Sequence, residues 1–324
     1  MSGGERAVGP YDLHGLQLIL DSDQPAVREA MELRLRGFGD RPSADADCVR
    51  LVFVAGTERH DGERVGGRPV YETPHGVLSY VAEGDALVGR FGGVHLSLAA
   101  TEGTARLEAD AFTGRDLYIA THPLATISLM ELLKRRLRYP LHAACLATPA
   151  GDGVLIAGPS GAGKSTLTIA LARAGLAFLS DDTVFLEHVG DGVEVLGFSD
   201  ALGISTHPAT RFDALRRAAG APPPPGFPKR LVRIEEVLDV QTLPRCTPRV
   251  LVVPEIVAEG SSRLEAMDPK EALLRLVPDV LLTDPTSTQA HLAALAALLA
   301  QVECHRLASG PEIEHGARLV AGLL

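Results

Sequence analysis

Residues 153–166 read Gly-Val-Leu-Ile-Ala-Gly-Pro-Ser-Gly-Ala-Gly-Lys-Ser-Thr. The apolar run from Val154 to Ala157 predicts a short buried strand. Gly158 to Ser165 fit the pattern G-x-x-x-x-G-K-[ST], and residues 167–173 continue as a helix that Gly175 ends. Because a strand, a glycine-rich loop and a helix follow one another in this order, the stretch predicts a phosphate loop (P-loop, Walker A) in an α/β domain.

The residue types in this loop suit a nucleoside triphosphate. Gly161 and Gly163 have no Cβ atom, so backbone N–H groups can approach phosphate oxygens closely, and the following helix N-terminus adds partial positive charge. Lys164 can reach the β- and γ-phosphates, and Ser165 can offer its hydroxyl to Mg²⁺. The predicted nucleotide contacts in the loop are Gly158, Pro159, Ser160, Gly161, Ala162, Gly163, Lys164, Ser165 and Thr166.

Two adjacent acids follow the next apolar strand. Residues 176–180 read as that strand, and Asp181 and Asp182 come directly after it. Acids at the end of a strand beside a phosphate loop can hold Mg²⁺ or take a proton from an attacking hydroxyl. Neighbouring side chains on an extended chain point in opposite directions, so we expect the two acids to divide these roles. Ser165 and Asp181 are the predicted metal ligands, while the choice of Asp181 or Asp182 as the base stays open.

Two further segments flank this predicted site. His142 lies in a predicted strand over 141–147, beside the loop strand, where a histidine alone is more often a packed residue than a catalytic one. Residues 221–228 read Ala-Pro-Pro-Pro-Pro-Gly-Phe-Pro, which excludes a helix or a central strand and predicts an exposed loop that could act as a lid. Lys229 follows it and can reach a triphosphate, although a solvated lysine is an equal interpretation.

Residues 1–120 differ from the rest of the chain in their predicted secondary structure, which is mostly short strands. One helix is predicted from Asp21 to Leu35, and strands are predicted at 51–55, 68–72, 76–82, 86–91, 93–99 and 104–111. A helix over 121–138, with Pro123 at its start, connects this β-rich α+β domain to residues 139–324. The basic end of that helix, Lys134 to Arg138, is interpreted as cations that complement the helix dipole, with a basic patch for an acidic partner as the alternative.

Composition narrows the class of protein. The 324 residues are 46% hydrophobic and 22% charged, as in an ordinary globular protein, and no apolar run is long enough for a membrane span. The net charge of −10 argues against nucleic acid as a partner. The four cysteines lie far apart without a CxxC, and residues 1–15 lack an apolar signal region, so we expect a cytoplasmic protein.

Three motifs, in order, carry a family resemblance: Leu141-His142-Ala143, the loop from Gly158 to Thr166, and Leu179-Ser180-Asp181-Asp182. Over roughly residues 139–320 the chain resembles the catalytic domain of HPr kinase/phosphorylase and its relatives, which include lasso-peptide-cluster kinases. The resemblance implies an α/β P-loop kinase domain of the HPr kinase/phosphoenolpyruvate carboxykinase-like type. It also implies transfer of the γ-phosphoryl group of ATP to a serine of a protein or peptide, with Mg²⁺, and members that often form homo-oligomers. The catalytic residues it implies are His142, Lys164, Asp181 and Asp182.

The chain also departs from this family. Leu196 stands shortly after the strand glutamate Glu194, where the HPr enzymes carry an arginine, and the loop linked to dephosphorylation is not recognisable in 221–232. Phosphorylase activity and HPr itself as the acceptor are therefore not expected. A small-molecule kinase of the same fold and a nucleotide sensor without turnover remain as alternatives. Transporter ATPases and guanylate kinases share the loop pattern, but the chain lacks their other motifs.

Overall fold

The computed structural model describes residues 7–39, 46–56, 67–73, 76–81, 85–198, 202–204, 212, 230–280 and 282–324. Within them the chain is a mixed α/β protein that divides into two compact units. The first unit holds the described residues up to Arg136 together with Leu282–Thr288, and the second holds the other described residues. The continuous range 139–324 predicted for the second domain therefore includes a segment, Leu282–Thr288, that belongs to the first unit.

The first unit is built on an eight-stranded sheet. Its strands are β1 (Ala7–Leu13), β2 (Leu16–Ser22), β3 (Cys48–Ala55), β4 (Arg68–Thr73), β5 (Gly76–Val81), β6 (Ala86–Phe91), β7 (Val94–Ala99) and β8 (Thr104–Ala109). They lie in the order β1-β2-β3-β8-β7-β6-β5-β4, with β3 parallel to both of its neighbours and the other pairs antiparallel. The strands predicted between residues 51 and 111 are confirmed to within a few residues.

The first helix starts later than the sequence predicted. Helix α1 spans Pro25–Leu35, whereas Asp21 and Ser22 belong to β2. Alternate residues of β2 are buried, which is the period of a strand with one face on a core. The prediction from residue 21 was wrong because Pro25 marks the first helical turn, so the four residues before it lie outside the helix.

The connecting helix predicted over 121–138 also has different bounds. Helix α2 (Gly114–Ile119) continues through a π-helical turn (Ala120–Leu124) into α3 (Ala125–Lys134). Pro123 therefore lies inside a helical stretch rather than at its start. Proline has no N–H to donate and displaces the preceding turn, and a π turn accommodates such a local break in the hydrogen-bond ladder.

The second unit contains the predicted phosphate loop. Its strands are β9 (Tyr139–Leu141), β10 (Ala143–Ala147), β11 (Asp152–Ala157), β12 (Ala177–Ser180), β13 (Val184–Val189), β14 (Gly192–Gly197), β15 (Leu202–Ile204), β16 (Arg230–Val232), β17 (Arg245–Ile256), β18 (Arg263–Ala266) and β19 (Glu303–Ser309). Its helices are α4 (Lys164–Arg173), α5 (Ile234–Val237), α6 (Pro269–Leu276), α7 (Pro285–Gln301, whose first residues belong to the first unit) and α8 (Ile313–Ala321). A short 3₁₀ turn, Val277–Asp279, follows α6.

The main sheet of this unit has helices on both faces. Its strands lie in the order β12-β10-β11-β17-β14-β13-β9, and β19 pairs with both β17 and β18. Leu155 and Ala157 of β11 pack in one buried cluster with residues of α6 and α7, whereas Val154 and Ile156 pack in a second cluster with residues of α4 and α8. The alternation of side chains along β11 therefore separates two cores, one on each face of the sheet. Among the helices of the described part of the chain, none is long and apolar enough to cross a membrane.

Candidate phosphate-binding and acid–histidine site

Three chain segments meet at one edge of the main sheet. β10 runs antiparallel to both β11 and β12, so β11 and β12 end at the edge where β10 begins. The glycine-rich loop follows β11, Asp181 and Asp182 follow β12, and His142 lies between β9 and β10 rather than within a strand. The register of these three neighbouring strands thus brings together the site residues that the sequence predicted separately.

The backbone of the loop has a conformation that glycine readily adopts. Gly158, Gly161 and Gly163 have φ values of 137°, 85° and 96°, a region that residues with a side chain rarely adopt. Gly163 is the N-cap of α4, and no side chain caps this helix end. The first N–H groups of a helix have no acceptor within the helix, so this end is open to an anion such as a phosphate.

The side chain of Lys164 folds back onto the loop. Its side chain is almost fully buried, and its Nζ donates to the carbonyl oxygens of Gly158 at 2.6 Å and Pro159 at 3.4 Å. The next turn of α4 is closed by Thr168, whose Oγ1 donates to the Lys164 carbonyl oxygen at 2.9 Å. The ammonium group is therefore held at the mouth of the loop, where it can exchange carbonyl contacts for phosphate oxygens.

His142 and Asp182 form a pair beside the loop. The Nδ1 atom of His142 lies 3.4 Å from Oδ1 of Asp182, and their side chains are 33% and 68% exposed. Both groups are thus open to a bound molecule while they touch each other. Asp181, the other acid, is half-buried. The sequence left the roles of the two acids open, and in the structure Asp182 is the more exposed of the two.

Ser180, which had no role in the sequence-based prediction, holds the turn that contains the two acids. The hydroxyl of Ser180 donates to the carbonyl oxygen of Phe198 at 3.1 Å and accepts from the backbone N–H of Thr183 at 3.3 Å. The Thr183 hydroxyl in turn donates to Oδ2 of Asp182 at 3.4 Å. These bonds fix the chain direction just after β12. A serine immediately before two acids at a strand end is a turn signal that could have revealed this role.

Glu194, considered as a metal ligand, does not join this group. Glu194 accepts from Arg245 at 2.9 Å, and it lies in β14 opposite the first residues of β17, away from the loop edge. Lys229 and the proline-rich segment 221–228 lie outside the described residues. Among the described residues, no cluster of three or more His, Cys, Asp or Glu side chains could hold a metal ion.

The donor types at the loop nevertheless fit Mg²⁺ as it binds with nucleotides. Mg²⁺ usually keeps several waters and takes only one or two protein oxygens, the remaining ligands being phosphate oxygens of the substrate. Ser165, half-buried in the first turn of α4, and the carboxylates after β12 are the oxygen donors at this edge. These residues suit a metal that arrives with a triphosphate, and they do not form a cage that would bind one alone.

Comparison with solved structures shows a distant structural neighbour. The chain is similar to the structure of the Hpr(Ser) kinase/phosphatase from Coxiella burnetii, with 13% sequence identity and a TM-score of 0.31. The match covers 57% of this chain and 87% of that chain. No protein-family model and no curated protein sequence matches the chain.

Proposed function

We propose that this protein is a kinase that transfers the γ-phosphoryl group of ATP to a serine hydroxyl of a protein or peptide. The observation that carries the proposal is the His142–Asp182 pair, 3.4 Å apart, at the sheet edge where the loop and Lys164 lie. Phosphoryl transfer needs charge neutralisation, placement of the two reactants and a carboxylate that accepts the hydroxyl proton. This edge supplies a group for each of these needs.

In this proposal each group has one task. The loop amides and Lys164 bind the β- and γ-phosphates, and Mg²⁺, held by Ser165 and Asp181 when bound, neutralises charge on them. Asp182 accepts the proton of the acceptor hydroxyl, whose oxygen bonds to the γ-phosphorus as the bond to the β–γ bridging oxygen breaks. His142 orients the Asp182 carboxylate through their contact. We place Asp182 as the base because it is the more exposed acid.

Phosphorus NMR tests this proposal directly. The purified chain is incubated with Mg-ATP and a pool of serine-containing peptides, beside the Lys164→Ala, Asp182→Asn and Asp191→Asn variants. We expect a phosphoserine signal from the wild type and from Asp191→Asn, an exposed acid in the turn before β14 that serves as the matched control. Loss of a general base lowers the rate about 10²- to 10⁴-fold, so we expect almost no product from Asp182→Asn.

The same experiment separates the alternatives. Lys164→Ala should lose ATP binding as well as transfer, whereas Asp182→Asn should keep ATP binding. Unchanged phosphoserine formation in Asp182→Asn would contradict the proposed base. Tight ATP binding without any phosphorylated product, even with added small alcohols, would favour a nucleotide sensor, and a phosphorylated small alcohol would favour a small-molecule kinase.

A further inference from the structure

An exposed apolar side chain lies against the loop on its other flank. Ile256, the last residue of β17, is 66% exposed. Its Cγ1 and Cδ1 atoms are 3.6 and 3.7 Å from the position that a Cβ atom on Gly163 would take. The side chain therefore lies beside the N-cap of α4, and most of its surface is exposed. Burying the apolar surface of such a residue against a ligand is favourable.

The backbone around Ile256 is fixed. β17 is parallel to β11, and on its other side Ile256 pairs with Ser309 of β19. The N–H of Val257 donates to the Ser309 carbonyl oxygen at 3.0 Å. Beyond it, the backbone N–H of Gly310 donates to the Ser262 hydroxyl at 3.0 Å. Ile256 is thus presented from a paired strand end, and a ligand would meet it without first ordering a loop.

The order of the strands gives the direction of a triphosphate across the loop. β10, with His142 at its start, lies on one side of β11, and β17 lies on the other. In the proposed function the γ-phosphate faces Asp182 and His142. The α-phosphate and the nucleoside must then extend toward the opposite flank, where Ile256 lies beside the first turn of α4.

We infer that Ile256 binds the nucleoside part of the nucleoside triphosphate, by apolar contact with its ribose or base. This inference rests on the proposed function and adds a residue that distinguishes a nucleotide from a bare polyphosphate chain. Neither the loop pattern nor the acid pair makes that distinction, because both act on phosphate oxygens and on the acceptor. Ile256 adds affinity for the nucleoside end of the same ligand.

Calorimetric titration with two ligands, Mg-ATP and magnesium tripolyphosphate, tests the inference. Tripolyphosphate carries the phosphate chain without a nucleoside. In Ile256→Ala we expect ATP to bind about tenfold more weakly, as for the loss of about two buried methylene groups, while tripolyphosphate binding stays unchanged. Ile256→Leu should restore most of the ATP affinity. Val189→Ala, which shortens another exposed aliphatic residue at the far end of β13, is the control and should leave both affinities unchanged.

Each other outcome has a definite meaning. Equal loss of ATP and tripolyphosphate affinity in Ile256→Ala would overturn the inference, because Ile256 would then only support Gly163. Unchanged affinity for both ligands would overturn it as well. If Lys164→Ala binds Mg-ATP and tripolyphosphate as tightly as the wild type does, the proposed function itself fails, and the inference fails with it.

Discussion

At the scale of single residues, Gly163 combines two requirements. Its φ of 96° lies in the left-handed region, and it is the N-cap of the helix whose open end is proposed to bind phosphate. The space around it would accept a Cβ atom, since the nearest heavy atom, Cγ1 of Ile256, is 3.6 Å from that position. The glycine is therefore required for its backbone conformation and not for lack of room.

Gly175 offers a matched comparison for Gly163. It has a φ of 101° and no heavy atom within 4 Å of a Cβ position, but it follows the other end of α4. We expect Gly163→Ala and Gly175→Ala each to lower the free energy of unfolding by about 1–2 kcal/mol through backbone strain. Only Gly163→Ala should weaken Mg-ATP binding, by about tenfold, as for one lost hydrogen bond to a charged group.

Urea unfolding and calorimetry of these two glycine variants check that prediction. The unfolding measurement compares the loss of stability in the two variants. The titration shows whether only Gly163→Ala loses affinity for Mg-ATP. Equal ATP affinity in the two variants would mean that the N-cap of α4 does not bind phosphate.

At the scale of elements, helix α3 and the segment Leu282–Thr288 are joined by buried charges. Lys134 is 1% exposed, and its Nζ donates to Glu131 Oε1 at 2.7 Å and to the Thr283 hydroxyl at 2.6 Å. Arg135 binds Asp284 and, at 2.6 Å, Asp85. The two cations at the end of α3 therefore have partners inside the first unit. The sequence-based interpretation did not include these partners, because Asp85, Thr283 and Asp284 come from distant parts of the chain.

The Asp284 carboxyl gives this cluster a dependence on pH. Burial raises its pKa, but hydrogen bonds from Ser287 and the charges of Arg135 and Lys134 outweigh burial, so the pKa lies below its ordinary value. The unfolded chain then takes up the proton at a higher pH than the folded chain. The stabilisation from Asp284 is complete above the unfolded pKa of about 3.9 and is lost as the pH falls through the lower folded pKa.

We therefore expect Asp284→Asn to be less stable than the wild type at neutral pH and to lose less stability below about pH 4. Urea unfolding between about pH 6 and about pH 3 measures this difference in slope. Asp191→Asn, an exposed acid, should follow the wild type throughout. The same slope in Asp284→Asn and the wild type would show that this carboxyl does not contribute.

At the scale of the whole molecule, the first 120 residues are part of a larger compact unit. They hold the entire eight-stranded sheet, but the first unit also includes α3 and Leu282–Thr288. Arg34 of α1 donates to the Thr126 hydroxyl at 2.8 Å, across the predicted boundary at residue 120. A role of residues 1–120 in recognising the acceptor stays a prediction, and a simple truncation is a poor test of it.

Deletion of residues 1–120 should leave a chain that aggregates. It removes every strand of the first sheet and uncovers residues of α3 such as Leu129, which is 1% exposed. Size-exclusion chromatography with light scattering measures this, and deletion of residues 1–6, which precede β1, is the control that should behave as the full chain does. A monodisperse, folded protein after the longer deletion would show that residues 121–324 form an independent unit.

Much of the fold and part of the site could be predicted from local patterns. The alternation and glycine punctuation of residues 51–111 predict their strands, because period-two burial and turn chemistry are local properties. Strand β1 was missed because Gly9-Pro10 interrupts its pattern, and β2 was missed because its last residues, Asp21 and Ser22, were assigned to the following helix. The assignment of Ser180 was missed because its partner, the Phe198 carbonyl, lies 18 residues further along the chain, just after β14.

The strand, glycine loop and helix of residues 153–173 can be predicted from the sequence alone, because chain stiffness, positive φ values and helix capping depend on neighbouring residues. The contact of His142 with Asp182 and the position of Ile256 beside Gly163 follow from the tertiary structure alone. Both depend on the register of β10, β11, β12 and β17, which is set by the packing of two cores on opposite faces of the sheet. Such pairing joins residues far apart in the chain, and no local pattern contains it.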